Sequence, residues 1–257
     1  MVLDLKSVMP DASPADHWRD PTFVHQFLLN VRGSVPLAIE QIDVVLRLMA
    51  AACDRVQSFL ILGGGDSLLA SAILEEHPQA RGFLIEDSAS GIESARRHLR
   101  AHVDRLTIVQ ADPSQAGWMD SLTTATRFDA VICGLDGEDV SEERKRLFYG
   151  EIFALLSPEG IFINLDYVAS ATRWTESEWD DQMIDAIFGE QLRGTPRNTR
   201  VEIARAYYAT ASRGADVPAP LEVQCDWLRE TGFESVECFL KVRELAMFGG
   251  QRPARDI

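Results

Sequence analysis

Short apolar runs alternate with amphipathic stretches between residues 58 and 168, and this alternation restricts the chain to few folds. Each run spans only four to six residues. Such runs are typical of parallel strands that are buried on both faces of a sheet. The predicted strands are Ser58–Leu62, Gly82–Ile85, Leu106–Val109, Phe128–Cys133 and Gly160–Leu165.

The stretches between these runs carry apolar residues at helical spacing. The predicted helices are Asp66–His77, Ser90–Arg100 and Ser141–Leu156. In the last of them, we expect Phe148, Ile152 and Leu155 to form the buried face. Strands joined by helices of this length form a parallel sheet with right-handed crossovers. The sequence therefore predicts an α/β fold with a doubly wound sheet.

The segments on either side of this core have different patterns. Residues 15–55 are predicted to be helical and to form a cap before the first strand. Residues 170–213 carry no strand signal, which predicts a helical insertion after strand five. Further along, we expect a helix Leu221–Thr231 and a hairpin of Ser235–Leu240 and Glu244–Phe248. The expected division is 1–55 for the helical cap, 56–168 for the core, 169–217 for the insertion and 218–257 for the last helix and hairpin.

The composition is that of a globular protein with a strong negative charge. Hydrophobic residues make up 46% of the chain, and the formal net charge is −15. This charge repels a phosphate backbone, so we expect no nucleic-acid partner. No apolar stretch approaches the roughly 18 residues that span a bilayer, and no secretory signal is recognisable. The four cysteines are far apart, which predicts buried free thiols in a soluble, cytoplasmic protein without a membrane partner.

A glycine-rich loop, Leu62–Ser67, lies between the first predicted strand and the helix that follows. Its residues Gly63, Gly64 and Gly65 allow a sharp turn and a close approach of a ligand to the backbone. Glu86 lies at the end of the second strand, where a carboxylate can bind both hydroxyls of a ribose. The loop and the acid together predict a nucleotide site.

This pattern is compatible with two types of nucleotide cofactor. A dinucleotide fingerprint, Gly-x-Gly-x-x-Gly, requires a glycine at position 68, which is Leu68 in this chain. Asp66 places an acid in the loop, where it suits an amino group better than a phosphate. Asp112, after the third strand, can accept a hydrogen bond from an adenine amino group. Three carboxylates suit a cationic sulfonium, so the residues favour S-adenosylmethionine over NAD.

Five motifs, taken in order, resemble those of class I S-adenosylmethionine-dependent methyltransferases over roughly residues 15–250. The matching segments are Leu62–Ser67, Glu86-Asp87-Ser88, Gln110-Ala111-Asp112, Phe128–Ile132 and Leu155–Gly160. The resemblance implies a Rossmann-like, seven-stranded sheet and S-adenosylmethionine as the cofactor, with S-adenosylhomocysteine as its product. It also implies a cofactor site formed by Gly63, Gly64, Gly65, Asp66, Glu86, Asp87, Ser88, Ala111, Asp112, Cys133 and Gly134.

A narrower resemblance is to small-molecule methyltransferases related to carboxy-S-adenosylmethionine synthases. It rests on Arg32–Pro36 before the core and on Pro220–Gln224 and Phe248–Gly250 after it. This likeness implies methylation of a small metabolite at oxygen, nitrogen or carbon by in-line displacement.

Four residues are candidates for the chemistry itself. His25 is a candidate general base, and Arg32 is a candidate for binding a carboxylate. Glu138, after strand four, and Tyr167, at the end of strand five, are candidates for contact with the substrate. The remaining expectations are surface positions for His77, His98 and His102, no metal site and a possible homodimer.

The chain departs from the family pattern at four places. Ile61 replaces an acid in the first motif, Ser67 replaces a loop glycine, and Glu159 replaces a glycine before strand five. Glu138-Asp139 stands where many relatives carry a pair of histidines. These departures leave two alternatives open. One is a non-methylating reaction of a bound cofactor, such as cyclisation, elimination or group exchange. The other is a non-catalytic partner of a related enzyme.

Overall fold

The computed structural model describes residues 37–63, 67–122, 127–134, 141–193, 198–211 and 219–254. The strands are β1 (Ser58–Leu62), β2 (Arg81–Glu86), β3 (Leu106–Gln110), β4 (Phe128–Gly134), β5 (Leu156–Tyr167), β6 (Glu234–Val242) and β7 (Leu245–Gln251). They form one sheet in the order β3-β2-β1-β4-β5-β7-β6. Strands β1 to β5 are parallel, whereas β7 pairs antiparallel with β5 and β6. The predicted seven-stranded, doubly wound sheet with a late hairpin is confirmed.

Helices cover both faces of this sheet. They are α1 (Ala38–Ala52), α2 (Ser67–Glu76), α3 (Ala89–His98), α4 (Glu142–Leu155), α5 (Arg173–Arg193), α6 (Arg200–Ala211) and α7 (Leu221–Thr231). Helices α1, α2 and α3 share one hydrophobic cluster with the sheet, and α4 and α7 share a second cluster on the opposite face. Among the described helices, none has the length and apolar character needed to cross a bilayer.

Strand β1 illustrates why the central strands are continuous apolar runs. Phe59 and Ile61 pack in the cluster with α1, α2 and α3, whereas Leu60 and Leu62 pack in the cluster with α4 and α7. Successive side chains of a strand point to opposite faces, so a strand buried on both faces needs apolar residues throughout. Full burial of one such side chain contributes about 1.5–3 kcal/mol. The family acid that Ile61 replaces would lie in this core.

The predicted helical segments outside the core are confirmed where the structure describes them. Helix α1 lies within the predicted segment 15–55, of which residues 15–36 are outside the described part of the chain. Helices α5 and α6 account for the helical character expected of residues 170–213. Arg200 of α6 joins the two helices through an ion pair with Asp181 of α5 at 2.9 Å.

The buried face of α4 differs from the predicted one. The structure buries Lys145, Tyr149 and Ile152, whereas Phe148 and Leu155 are only partly buried. The buried stripe begins at a lysine because the ammonium group is bound by a carboxylate of β5 beneath the helix. An ion pair that apolar spacing does not reveal therefore helps to set the orientation of α4.

The prediction of a surface position is wrong for His102. This residue is buried, and its Nε2 lies 3.2 Å from the hydroxyl of Ser71 on α2. Burial lowers the pKa of the imidazole, and the neighbouring Arg105 lowers it further. The neutral ring is thus a packing element between α2 and the turn before β3.

Strand β5 begins at Leu156, before the Pro158-Glu159-Gly160 segment, rather than at Gly160 as predicted. Glu159 has a φ angle of 64°, in the left-handed region that favours glycine. Its backbone N–H donates to the carbonyl oxygen of Arg252 at 2.9 Å, which fixes the residue in this conformation. The backbone here keeps a conformation suited to glycine, although the side chain is glutamate.

Replacing Glu159 with glycine should therefore stabilise the protein. We expect Glu159→Gly to raise the free energy of unfolding by up to about 1 kcal/mol, because it removes the left-handed strain of a side chain. The matched control is Glu237→Gly on exposed β6, which should lower that free energy by about 0.5–1 kcal/mol. Urea unfolding of both variants measures their free energies of unfolding. Equal destabilisation by the two substitutions would contradict the conclusion that the backbone at Glu159 is strained.

Candidate functional site

A cavity of about 250 Å³ opens at the carboxyl ends of β1, β2 and β4, between the sheet and α4. It is lined by Leu62, Gly63, Ile85, Asp87, Asp112, Pro113, Ser114, Cys133, Arg144, Lys145, Phe148, Tyr149, Asn164 and Asp166. Strand order reverses between β1 and β4, and ligands of doubly wound sheets bind at such a point. The structure thus brings four predicted cofactor residues, Gly63, Asp87, Asp112 and Cys133, around one cavity.

Glu86 is held rigidly at the end of β2 and is 3% exposed. Its Oε1 accepts hydrogen bonds from the backbone N–H of Ser88 at 3.1 Å and from the Ser88 hydroxyl at 2.7 Å. A Cβ at position 91 would overlap the Glu86 carboxylate, so Gly91 leaves room for the acid. Glu86 does not line the 250 Å³ cavity, whereas the adjacent Asp87 does. Its Oε2 accepts no hydrogen bond from a described residue.

Asp112 lines the cavity from an exposed position after β3. Its Oδ1 accepts a hydrogen bond from the backbone N–H of Ser114 at 2.9 Å. Hydrogen bonding to Ser114 lowers the pKa of the Asp112 carboxyl below its ordinary value, so the group is ionised at neutral pH. The preceding Ala111 is tied to β2, because its N–H donates to the carbonyl oxygen of Glu86 at 3.3 Å. The ends of β2 and β3 are therefore coupled.

Arg144 of α4 holds the loop that follows Asp112. Its Nε donates to the carbonyl oxygen of Ser114 at 2.9 Å, and Nη2 donates to those of Pro113 at 2.9 Å and Gln115 at 3.2 Å. Glu151 binds the same guanidinium at 2.8 Å. This role could not be predicted from the sequence, because the three carbonyl contacts span 29 to 31 residues and leave no local signal.

A buried ion pair forms the inner end of the cavity. Lys145 Nζ lies 2.8 Å from Asp166 Oδ2, and the two residues are 4% and 2% exposed. Asp166 Oδ1 accepts a further hydrogen bond from the backbone N–H of Tyr167 at 2.9 Å. Burial raises the pKa of the Asp166 carboxyl, and the Lys145 ammonium opposes that rise. The sequence indicates this pair only through Lys145, a lysine at helical spacing from the apolar residues of α4.

Two uncharged polar side chains, Tyr149 and Asn164, line the same cavity as the ion pair. The Tyr149 hydroxyl donates to Oε1 of Gln224 on α7 at 2.6 Å, and Gln224 Nε2 donates to the Ala219 carbonyl oxygen at 3.0 Å. Burial holds the pKa of Tyr149 well above its ordinary value, so its hydroxyl keeps its proton. Asn164 of β5 is 3% exposed. The hydrogen bond between Tyr149 and Gln224 joins α4 to α7.

The end of β4 separates this cavity from a second one. Cys133 is 6% exposed and lines both cavities, and Gly134 lines only the second. The second cavity has a volume of about 20 Å³ and lies between the sheet and α1, where the buried Gln41 lines it. A Cβ at Gly134 would contact no atom of the described residues within 4 Å.

The structure does not bring every predicted residue to the cavity. Tyr167 packs against the cluster that includes α1 and lines neither cavity. Six of the predicted site residues lie outside the described part of the chain: His25, Arg32, Gly64, Gly65, Asp66 and Glu138. Within the described ranges, no three His, Cys, Asp or Glu side chains are grouped so that they could hold a metal ion.

Arg144→Lys should loosen the loop after Asp112. Lysine keeps the charge beside Glu151 but cannot reproduce the fork of contacts to three carbonyl oxygens. We expect faster hydrogen exchange at residues 113–118 and a free energy of unfolding lower by about 1–3 kcal/mol. Arg146→Lys is the matched control, since Arg146 binds the exposed Glu230 at 3.0 Å and should change stability by less than about 0.5 kcal/mol. Equal effects of the two substitutions would contradict the assigned role.

Comparison with known proteins yields likeness in structure only. No family model matches the chain, and no curated protein sequence matches it. An O-methyltransferase family protein from Burkholderia thailandensis superposes with a TM-score of 0.60 at 18% identity, over 98% of this chain and 68% of that protein. An S-adenosylmethionine-dependent methyltransferase from Clostridium acetobutylicum gives a TM-score of 0.57 at 12% identity, over 90% and 98% of the two chains.

Human N-acetylserotonin methyltransferase in complex with S-adenosylmethionine is a third similar structure. It has a TM-score of 0.52 at 12% identity, over 95% of this chain and 60% of the human one. The chain therefore spans only 60% of the human protein but nearly all of the Clostridium protein. At these identities the likeness concerns the fold. The resemblance found in the sequence is confirmed at that level: the chain has the fold of class I S-adenosylmethionine-dependent methyltransferases.

Proposed function

We propose that the protein is a methyltransferase that uses S-adenosylmethionine to methylate a small molecule at oxygen, nitrogen or carbon. The observation that carries this proposal is the position of the 250 Å³ cavity in a sheet with this strand order. The cavity lies at the carboxyl edge, at the reversal of strand order, and acids follow both β2 and β3 there. The names of the similar structures, O-methyltransferase among them, support the same activity.

The acids suit the cofactor in both charge and hydrogen bonding. Glu86 has one oxygen fixed by Ser88, which leaves Oε2 to accept from the ribose hydroxyls. Asp87 and the ionised Asp112 add negative charge near a cofactor whose sulfonium is positive. Carboxylate acceptors make hydrogen bonds about twice as strong as neutral ones. Gly63, together with the loop residues Gly64, Gly65 and Asp66, would contact the methionine end.

Methyl transfer from a sulfonium is an in-line displacement, so the protein must align the two reactants and exclude water. Cys133 and Gly134 would be next to the sulfonium, because they end β4 between the two cavities. The cavity beside α1, which Gly134 lines, would be on the substrate side. His25, Arg32 and Glu138 remain the proposed residues for contact with substrate. Tyr167 is proposed as a contact only through its place at the end of β5, since it lines neither cavity.

One observation favours a second candidate function. Ile61 is 1% exposed and belongs to the core, so the position that carries an acid in the family makes no polar contribution to the cofactor loop. This departure from the family pattern is the reason to keep a reaction of the bound cofactor other than methyl transfer as the second candidate. Release of S-adenosylhomocysteine during turnover supports methyl transfer, and turnover without it supports the second candidate.

Calorimetric titration with S-adenosylmethionine and S-adenosylhomocysteine tests the proposal directly. We expect micromolar binding of both by the wild-type protein and at least about tenfold weaker binding by Glu86→Gln, which loses a charged hydrogen-bond acceptor. Glu93→Gln, on the exposed side of α3, is the matched control and should bind as the wild type does. Absence of binding to wild type would refute the function and leave only the fold.

A further inference from the structure

We propose that the outer edge of β3 binds an extended, acidic peptide segment of a partner protein, which adds a strand to the sheet. The surface that receives it, called here the β3 groove, has a volume of about 410 Å³. It is lined by Arg96, Leu99, Arg100, Val103, Leu106 and Ile108. The groove shares no lining residue with the 250 Å³ cavity, so the inference is independent of the proposed function.

Strand β3 lacks the features that usually protect the edge of a sheet. It is an edge strand in the described part of the chain. Natural edge strands carry charged residues, prolines or bulges that discourage pairing with another chain. Leu106–Gln110 contains no charged residue and no proline, and its register with β2 is regular. The opposite edge strand, β6, carries Glu234, Glu237 and Lys241 and has two register shifts. Only the β3 edge is therefore suited to pair with a further strand.

The direction of the backbone groups of β3 follows from the bonds at its two ends. The N–H of Gly82 donates to the carbonyl oxygen of Arg105 at 2.8 Å, and the N–H of Ala111 donates to that of Glu86 at 3.3 Å. Successive strand residues direct these groups to alternate sides, so the odd-numbered residues face β2. The residues that direct them outward are Leu106, Ile108 and Gln110. Within the described ranges, no hydrogen bond outside the sheet reaches these outward backbone groups.

The floor of the β3 groove is apolar and partly open to solvent. Leu99 and Leu106 are buried, Ile108 is half-buried, and Val103 is 70% exposed. Leu106 and Ile108 thus offer backbone partners at the edge and side chains at the floor. A peptide that adds a strand uses both, because main-chain hydrogen bonds give affinity and side-chain pockets give specificity.

Two arginines at the rim of the groove determine the charge of the partner. Arg96 and Arg100 are exposed, and neither forms an ion pair with a described residue. The dipole of α3 favours basic residues in its last turn, which accounts for Arg96 but not for Arg100 beyond the helix end. On a chain with a net charge of −15, unpaired arginines beside an apolar groove favour carboxylates of a partner.

A second copy of this chain fits the groove less well than an acidic partner does. Pairing of two β3 edges about a two-fold axis places the same surface of both copies in one interface. Arg96 and Arg100 of both copies would then share that interface, and like charges brought together across an interface are unfavourable. The charge of the rim therefore favours a different, acidic chain.

A synthetic peptide of about eight residues, a common strand length, tests the proposal. In this probe, Glu, Ile, Val and Glu form one face of the extended chain and alternate with Thr on the other face. One control peptide has Gln in place of both Glu residues. The other carries N-methyl groups on its backbone amides and cannot pair as a strand. Fluorescence anisotropy of the labelled peptides measures affinity, and hydrogen exchange at residues 106–110 reports strand pairing.

The two protein variants are Arg100→Glu and its matched control, Arg97→Glu. Arg97 is exposed and lies near the end of the same helix but does not line the groove, so the two substitutions change the net charge equally. Circular dichroism reports the folding of both variants. Both should bind S-adenosylhomocysteine as the wild type does, which keeps this test separate from that of the proposed function.

We expect the wild type to bind the probe at least about tenfold more tightly than the Gln peptide, the effect of hydrogen bonds to a charged group. Arg100→Glu should weaken binding of the probe by at least about tenfold. Arg97→Glu should change it by no more than about twofold, because salt screens a charge outside the groove. The probe should slow exchange at residues 106–110, and the N-methylated peptide should not.

Four results would overturn the inference. Failure of the wild type to bind the probe would exclude an acidic strand at this edge. Equal losses in Arg97→Glu and Arg100→Glu, or binding without slower exchange at residues 106–110, would place the peptide elsewhere. Self-association of the protein in competition with the probe would identify a second copy as the occupant. Exchange at residues 106–110 of the protein alone as slow as that of β2 would show that another segment of this chain covers the edge.

Discussion

Parallel pairing of β1 with its two neighbours is the constraint on which the rest of the structure depends. Leu62 pairs with Ile85 of β2 and with Cys133 of β4, and Cys133 pairs in turn with Asn164 of β5. One row of residues at the carboxyl edge thus crosses four strands, and each of its members lines the 250 Å³ cavity. Because the register is parallel, the loops that leave β1, β2 and β4 must surround the same space.

Much of this arrangement could be predicted because its signals are local. Continuous apolar runs identify parallel strands, since both faces are buried, and Gly232 ended the predicted helix α7 at the residue observed. Glu86 was recognisable for the same reason: an acid at the end of a strand stands out from the apolar run before it. The fixed position of the Glu86 carboxylate could not be predicted, because it depends on the hydrogen bond from Ser88 and on the space left by Gly91.

The polar half of the cavity could not be predicted, because its partners are distant in the sequence. Lys145 and Asp166 are 21 residues apart, and Arg144 reaches Ser114 across 30 residues. A prediction from hydrophobic periodicity does not assign a lysine to the buried face of a helix. The predicted buried face of α4 was wrong for this reason. Only the packing of α4 against β5 reveals that this lysine is bound. Adjacent residues of α4 then have separate roles: Arg144 holds the loop after Asp112, and Lys145 pairs with Asp166 inside the cavity.

Hydrogen exchange with and without S-adenosylhomocysteine tests most directly whether the carboxyl edge of this sheet holds a nucleoside cofactor. A saturating ligand should slow exchange at residues 85–88, at the end of β2 and just after it, at residues 111–115 after β3, and at the first turns of α4. Strand β6, at the edge of the sheet beyond β7, should exchange at an unchanged rate. Protection confined to regions away from the cavity, or no protection at all, would contradict the account.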